Sequence, residues 1–394
     1  MKRLLVGTVT AALAVSLAAC GSDSDSASSG SSGPIEVGSW SPLSGPIAPS
    51  GTQTAAGAKA AFDEINAAGG INGRKINYTT LDNAYDPQQT IQAARKLVGS
   101  KKVVAIVGAN GTAPTAASFP FVLEQSKVPI MFTYGGAQAW YSPPKPGLFG
   151  SQTPYEDQAR NIAQWAVDSG AKNIVVVHDD PQAFVNVADT VVSTAKAADP
   201  AVQTAKVSVK LGSTDYSPVV AQVKAKSPDA VVLIVPVPEA AAYLKQAKLQ
   251  GVTATPYGYA PIADPGLLKL AGDAAEGVRT LSLTKLPTDT ADPAVAAYVA
   301  ALKKYAPDQE PSFYSIYTYA AAKAFAKILE GISGDVTPES IAKAAESGTP
   351  IDTGLLPPLT FTSSQHLGTN QVIRLVVKDG AFTAEGGFTA PAGS

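Results

Sequence analysis

The chain of 394 residues is expected to fold as α/β, with two similar doubly wound lobes. Three observations predict this. Strand-like and helix-like segments alternate in the order β-α-β-α-β from Ile35 onward, and the same order restarts after Tyr155. The strands "KKVVAIVG" and "AVVLIVPV" are continuous apolar runs, the form taken by strands of a parallel sheet covered on both faces. Finally, about 360 residues after the leader are enough for two domains of roughly 100–200 residues each.

The elements follow in order. Ile35 to Gly38 opens as a strand. "TAAGAKAAFDEINAAGG" then spaces Ala58, Ala61, Phe62 and Ile65 on one helical face and stops at Gly69-Gly70. From Lys75 to Leu81, the residues Ile76, Tyr78 and Thr80 alternate as in a strand. Asp86 is placed to cap the next helix, with Pro87 in its first turn and Gln89 at the reciprocal capping position. In the second half, a helix over Gln158–Asp168 precedes the strand "NIVVVHD" and a helix over Phe184–Ala198. A strand over Ala205–Lys210 follows, then a helix over Ser217–Lys226, the strand "AVVLIVPV" and a helix over Glu239–Gln250. Pro293 to Gly331 reads as mainly helical. "VIRLVVKDGAFT" closes the chain as a hairpin turning at Asp379-Gly380.

In open α/β sheets ligands sit beyond the carboxyl ends of the strands, so the residues just after each apolar run carry the functional information. Those are "GANGTAPTAA" after Val107, "TYGGAQAWY" after Phe132, "HDDPQAF" after Val177, "PVPEAA" after Val235 and "YGYAPIAD" after Pro256. Thr112 is placed to cap a helix beginning near Pro114, whose first N–H groups would face an acceptor. The rings in these mouths are Tyr134, Trp140, Tyr141, Phe184, Tyr257 and Tyr259. Of these, Trp140 and Tyr141 read as packing residues.

The leader has its own logic. Lys2 and Arg3 precede an apolar run from Leu4 to Ala14, too short to span a bilayer and shaped as an export signal. Leu17-Ala18-Ala19-Cys20 resembles a bacterial lipobox, which implies lipid attachment at Cys20, the chain's single cysteine. The exported domain therefore has no disulfide. Gly21 to Pro34 is almost wholly Gly, Ser, Asp and Ala, too polar to fold and expected to act as a tether. Its typical reach is about 20 Å, and about 50 Å fully drawn out. Without the signal at 1–19, 28 basic residues face 32 acidic ones, a net charge of −4, with no basic stripe for nucleic acid.

"VGSWSPLSGPIAPSGTQTAAGAKAAFDEINAAGGINGRKI" resembles the opening of type I solute-binding proteins of ABC importers, the branched-chain amino acid and amide branch. "LDNAYDPQQTIQAARKLV", "VVAIVGANGTAPTAA", "VPIMFTYGGA" and "NIVVVHDD" follow in the family's order. The resemblance implies two Rossmann-like lobes joined by a three-crossing hinge, with ligand enclosed by closure. Lobe 1 is expected over 35–153 and 282–356, lobe 2 over 154–281 and 357–394. The crossings fall near Gln152–Tyr155, Val278–Leu283 and Leu355–Leu359, and the leader divides into a signal at 1–19 and an acylated tether at 20–34.

The resemblance also implies a ligand set. Family members hold a ligand carboxylate at positions corresponding to Gly111 and Thr112 and to Gly135, Gly136 and Ala137; Thr112 keeps a hydroxyl that Ala137 lacks. A ligand-facing tyrosine of the second lobe corresponds to Phe184. The acid that receives an ammonium group falls at Tyr259 or Ala260, neither of them acidic, and Asp264 could replace it only through a rearranged loop. Ser50 and Asn110 complete the expected set, and Tyr85 stands where some relatives have a disulfide cysteine. A buried ammonium lacking a carboxylate partner forfeits several kcal/mol, so the expected solute is an aromatic or short organic acid or an amide more than a plain leucine-like amino acid.

Catalysis is not expected. His178 and His366 are the only histidines, and no metal-ligand spacing, nucleophile elbow, P-loop or dinucleotide fingerprint is present. No cofactor or metal is implied. The expected partners are a small ligand and separately encoded permease and ATPase subunits, with a monomeric receptor lipid-anchored on the outer face of the cytoplasmic membrane. The chain ends at Ser394 without an output segment, which favours a free-standing capture protein over a sensor module of the same fold.

Overall fold

Periodicity in the sequence resolves into two parallel sheets in the computed structural model, which describes residues 33–390. Cys20, the export signal and most of the tether lie outside the described residues. The first sheet contains β1 (Ile35–Ser41), β2 (Ile76–Asp82), β3 (Ala105–Val107), β4 (Ile130–Met131) and β5 (Leu148–Phe149), all parallel, in the order β2-β1-β3-β4-β5. The second contains β6 (Asn173–Asp179), β7 (Gln203–Val209), β8 (Ala230–Ile234), β9 (Thr255–Gly258) and β10 (Arg279–Ser282). Their order, β7-β6-β8-β9-β10, repeats that of the first sheet. Two antiparallel strands, β11 (Ile373–Lys378) and β12 (Ala381–Ala384), extend it beyond β10. Their turn needs left-handed backbone at both central positions, which Asp379 (φ 51°) and Gly380 (φ 72°) provide.

Helices cover the faces. α1 (Ala48–Ala67), α2 (Pro87–Arg95) and α3 (Thr112–Phe119) connect strands of the first sheet. α4 (Tyr155–Asp168) leads from the first sheet into the second, whose strands are connected by α5 (Gln182–Ala198), α6 (Ser217–Lys224), α7 (Val237–Leu249) and α8 (Pro265–Ala271). α9 (Pro293–Tyr305), α10 (Phe313–Glu330) and α11 (Pro338–Ala345) return to the first lobe. Asp86 caps α2 through the Gln89 N–H at 2.8 Å. α3 begins two residues before the expected Pro114, because Gly111 at φ 117° makes the turn and occupies the cap position expected of Thr112.

α10 buries fifteen of its eighteen residues and packs along α1. Small side chains permit this: a Cβ on Gly57 would lie 2.1 Å from the Ser315 carbonyl oxygen, so the two backbones touch there. Ser312 caps α10 in a reciprocal arrangement with Ser315.

Three stretches pass between the lobes, and their positions differ in part from expectation. The first runs through 150–154, where the Thr153 hydroxyl donates to the Gln371 carbonyl at 2.9 Å. The second follows β10 instead of containing it, since Arg279–Ser282 pairs with β11 in the second sheet. Past Leu359 the chain still lies on the first lobe. Phe361 packs against Phe132 and Phe149 with ring centroids 5.8 and 5.6 Å apart, and His366 stacks on Phe149 at 4.5 Å. We therefore place the third crossing at 368–372, beyond the expected Leu355–Leu359, because apolar rings of that segment need the lobe 1 core.

Candidate functional site

In each sheet the strand order reverses beside its first strand, between β1 and β3 and between β6 and β8. Crevices in open α/β sheets form at such points. The loops after those four strands face one another and enclose a cavity of about 50 Å³ between the lobes. Ile47 and Ser50 come from the start of α1, and Asn110, Gly111 and Thr112 from the loop after β3 and the start of α3. Ala183 and Phe184 come from α5, and Pro236 from the loop after β8. Tyr134 follows β4, and Tyr259 and Pro261 follow β9.

Six aromatic rings dominate the wall: Tyr85, Tyr134, Tyr155, Phe184, Tyr259 and Tyr314. Tyr134 is the hub on the first lobe, with centroids 5.0 Å from Tyr314, 6.0 Å from Phe313 and 5.6 Å from Tyr317. On the second lobe Tyr259 sits 5.8 Å from Tyr155 and 6.5 Å from Phe184. Tyr85 reaches the cavity from a strained loop. Both it and Ala84 have positive φ (59° and 45°), held by the Asn83 and Asp82 carboxamide and carboxylate oxygens accepting from their N–H groups at 3.1 and 2.8 Å.

The wall contains no charged side chain. Burial pushes the phenols of Tyr85, Tyr134, Tyr155, Tyr259 and Tyr314 above the ordinary tyrosine value, so all remain neutral hydroxyls. Tyr134 Oη is a buried polar group at the cavity, beside the hydroxyls of Tyr155 and Tyr314. Thr112 contributes a second hydroxyl and Ser50 a third, though the Ser50 hydroxyl already donates to the Ile47 carbonyl at 2.9 Å. Asn110 is held by donating its amide to Thr54 Oγ1 at 2.9 Å.

Four of the sequence-predicted positions are not in the wall. A Cβ on Gly135 would lie 3.2 Å from Thr112, and one on Gly136 2.7 Å from Gln152 Nε2, so both glycines serve close packing behind the cavity. Ala137 packs in the cluster around Trp140. Ala260 is fully buried and its N–H is taken by Gln158 Oε1 at 3.0 Å. Trp140 sits in the first-lobe core against Phe119, and Tyr257 packs on Trp165. Tyr85, Tyr155 and Tyr314, whose places in the wall the sequence did not signal, come together there because their chain positions converge only after folding.

Acids near the cavity are engaged elsewhere or turned from it. Asp264 caps α8 by accepting from Gly266 N–H at 2.7 Å and reaches across the lobes to accept from Phe313 N–H at 2.8 Å, so its loop is not rearranged toward the ligand. Glu239 accepts from the Tyr216 hydroxyl and from Gly212 N–H. Asp179 is fully buried outside the wall, beside the Glu239 carboxyl. Burial first, then the neighbouring Glu239 carboxylate, raises its pKa well above the usual Asp range and favours the neutral form. His178 bonds its Nδ1 to the Asp179 carbonyl at 2.8 Å, and among the described residues no group of three His, Cys, Asp or Glu side chains is placed to hold a metal.

Residues 34–381 match the family model described as periplasmic binding protein. The chain belongs to the periplasmic binding protein family. Relatives of this binding protein include the leucine-, isoleucine-, valine-, threonine- and alanine-binding protein of Pseudomonas aeruginosa, 29% identical over 323 residues, or 80% of this chain and 83% of that one. The Leu/Ile/Val-binding protein homolog 1 of Brucella abortus is 30% identical over 82% of this chain and 84% of its own. A substrate-binding periplasmic protein from Ralstonia solanacearum superposes with a TM-score of 0.81, 26% identity and coverage of 89% and 100%. The binding protein is thus a type I member of the branched-chain amino acid branch, a solute receptor that functions outside the cytoplasm.

Proposed function

We propose that this binding protein is the membrane-tethered capture subunit of an ABC importer, that it closes on a small organic acid or amide with an apolar or aromatic body, and that it delivers this solute to a separate permease. A single observation carries the ligand class: the interlobe cavity is walled by six aromatic rings and neutral hydroxyls, with no charged side chain. A carboxylate or carbonyl head is served by Thr112, by the first N–H groups of α3 and by the Tyr134 hydroxyl. The rings take the body of the ligand. An ammonium group would meet no carboxylate in the wall, at a cost of several kcal/mol.

The test is calorimetry and thermal shift of the mature chain with amino acids, amides, aromatic acids and unbranched acids. Aromatic or short-chain acids are expected to raise the melting temperature, since a ligand at a hundredfold its Kd adds about 2.7 kcal/mol. Strong binding of leucine, with none by the acids and amides, would overturn the reading. Lipid anchoring at Cys20 is tested separately: labelled palmitate is expected to enter the wild-type chain and not Cys20→Ala.

A further inference from the structure

Beside the ligand cavity, along the seam between the lobes, lies a second compartment of about 120 Å³. Ile47, Ser50, Pro236 and Tyr314 belong to the walls of both spaces, so one layer of side chains separates them. That shared layer is close to apolar, because the Ser50 hydroxyl is turned to the Ile47 carbonyl at 2.9 Å. The outer space is walled from one lobe by Pro46 and Pro49 and from the other by Val237 and Pro238. Prolines bring no N–H group to it, so an apolar occupant leaves few backbone donors unpaired. Its one carboxylate, on Asp264, already accepts from Gly266 and Phe313 N–H groups. At the rim stands Leu270, which is 48% exposed, one of two large hydrophobic side chains exposed among the described residues.

We propose that the outer compartment is a tail subsite, and that the solute is a carboxylic acid or amide whose hydrocarbon chain runs from the ring-lined cavity past Ser50 and Pro236 into this seam. The inference rests on the reading of the inner cavity as the solute site. It follows from position and chemistry together. The ring-lined cavity seats the head and the first part of the body. The adjoining space, which shares four wall residues with it, is formed by both lobes and is mostly apolar, with Gln53 and Asp264 its polar side chains beside the shared Ser50 and Tyr314. A chain lying there bridges the lobes and so favours the closed state.

The experiment is titration calorimetry of the mature chain with butanoate, hexanoate and octanoate, on the wild type and on Leu270→Glu. Each added methylene is expected to tighten wild-type binding about fourfold while it still enters the seam. Leu270→Glu, a substitution at an exposed position, is expected to weaken octanoate about tenfold or more and leave butanoate and the unliganded melting temperature unchanged. Octanoate binding no more tightly than butanoate, or gaining equally in Leu270→Glu, would overturn the tail subsite while the inner-cavity reading stands. Failure of all three acids to bind would overturn the tail subsite, and failure of benzoate and the amides in the same titrations would overturn the inner-cavity reading as well.

Discussion

Asp179 shows how a single residue can set a pH response. Its carboxyl is fully buried beside Glu239, and burial raises its pKa in the folded state above the unfolded value. The groups around it are Asp180, Glu239, His178, Tyr216, Tyr85 and Tyr259, none of them a lysine or arginine. A raised acid stabilises fully below its unfolded pKa, and that contribution is lost as pH rises toward the folded pKa. The melting temperature is therefore expected to fall between about pH 4 and about pH 9, and Asp179→Asn to flatten that fall. Parallel pH profiles for the two proteins would refute the assignment. At Thr112 the prediction concerns affinity: Thr112→Val removes one hydroxyl and is expected to weaken the solute found by the screen about tenfold, read by calorimetry. Strand-end position and the family resemblance signalled Thr112, Phe184 and Tyr259. Neither marked Tyr85 as a wall residue, and it enters because a left-handed turn re-aims it.

Elements were the most legible level, and their departures have local causes. Apolar runs and caps located most strands and helices, while α1 already begins at Ala48, ahead of the segment from Thr54 that marked it, and α8 and α11 went unmarked. Several ends shifted by two or three residues: α4 begins at Tyr155 instead of Gln158, and α7 at Val237 instead of Glu239. Prolines before and within those first turns set φ for helix entry, which pattern alone does not mark. The α1–α10 contact lets the tertiary structure reverse a propensity rule. Alanine is a better helix former than glycine by about 1 kcal/mol, yet Gly57→Ala would push a Cβ to 2.1 Å from the Ser315 carbonyl oxygen. It is expected to destabilise the chain by about 1–3 kcal/mol in urea denaturation, and a gain in stability would refute the close approach. Asp264 joins two elements across the lobes, and Asp264→Ala removes the α8 cap and the bond to α10 together. A loss of about 1–3 kcal/mol is expected, with a larger radius of gyration in X-ray scattering as the cleft loosens.

At the scale of the whole molecule, function depends on two lobes that repeat one strand order and bring their switch points face to face. The alternation of apolar strands and amphipathic helices, the glycine stops and the Asp379-Gly380 turn determined the α/β class and the two-lobe plan from the sequence alone, because each rests on short-range periodicity and backbone chemistry. The sequence likewise marked the strand ends as the place to look for a site. Only the tertiary structure decided which mouth residues share one wall, why Gly135, Gly136, Ala137 and Ala260 stand behind it, and where the third crossing leaves Phe361 and His366. The cavity draws on loops from Ile47 to Tyr314. Contacts over such separations are set by how strands register and lobes close, and no local pattern in the chain encodes them.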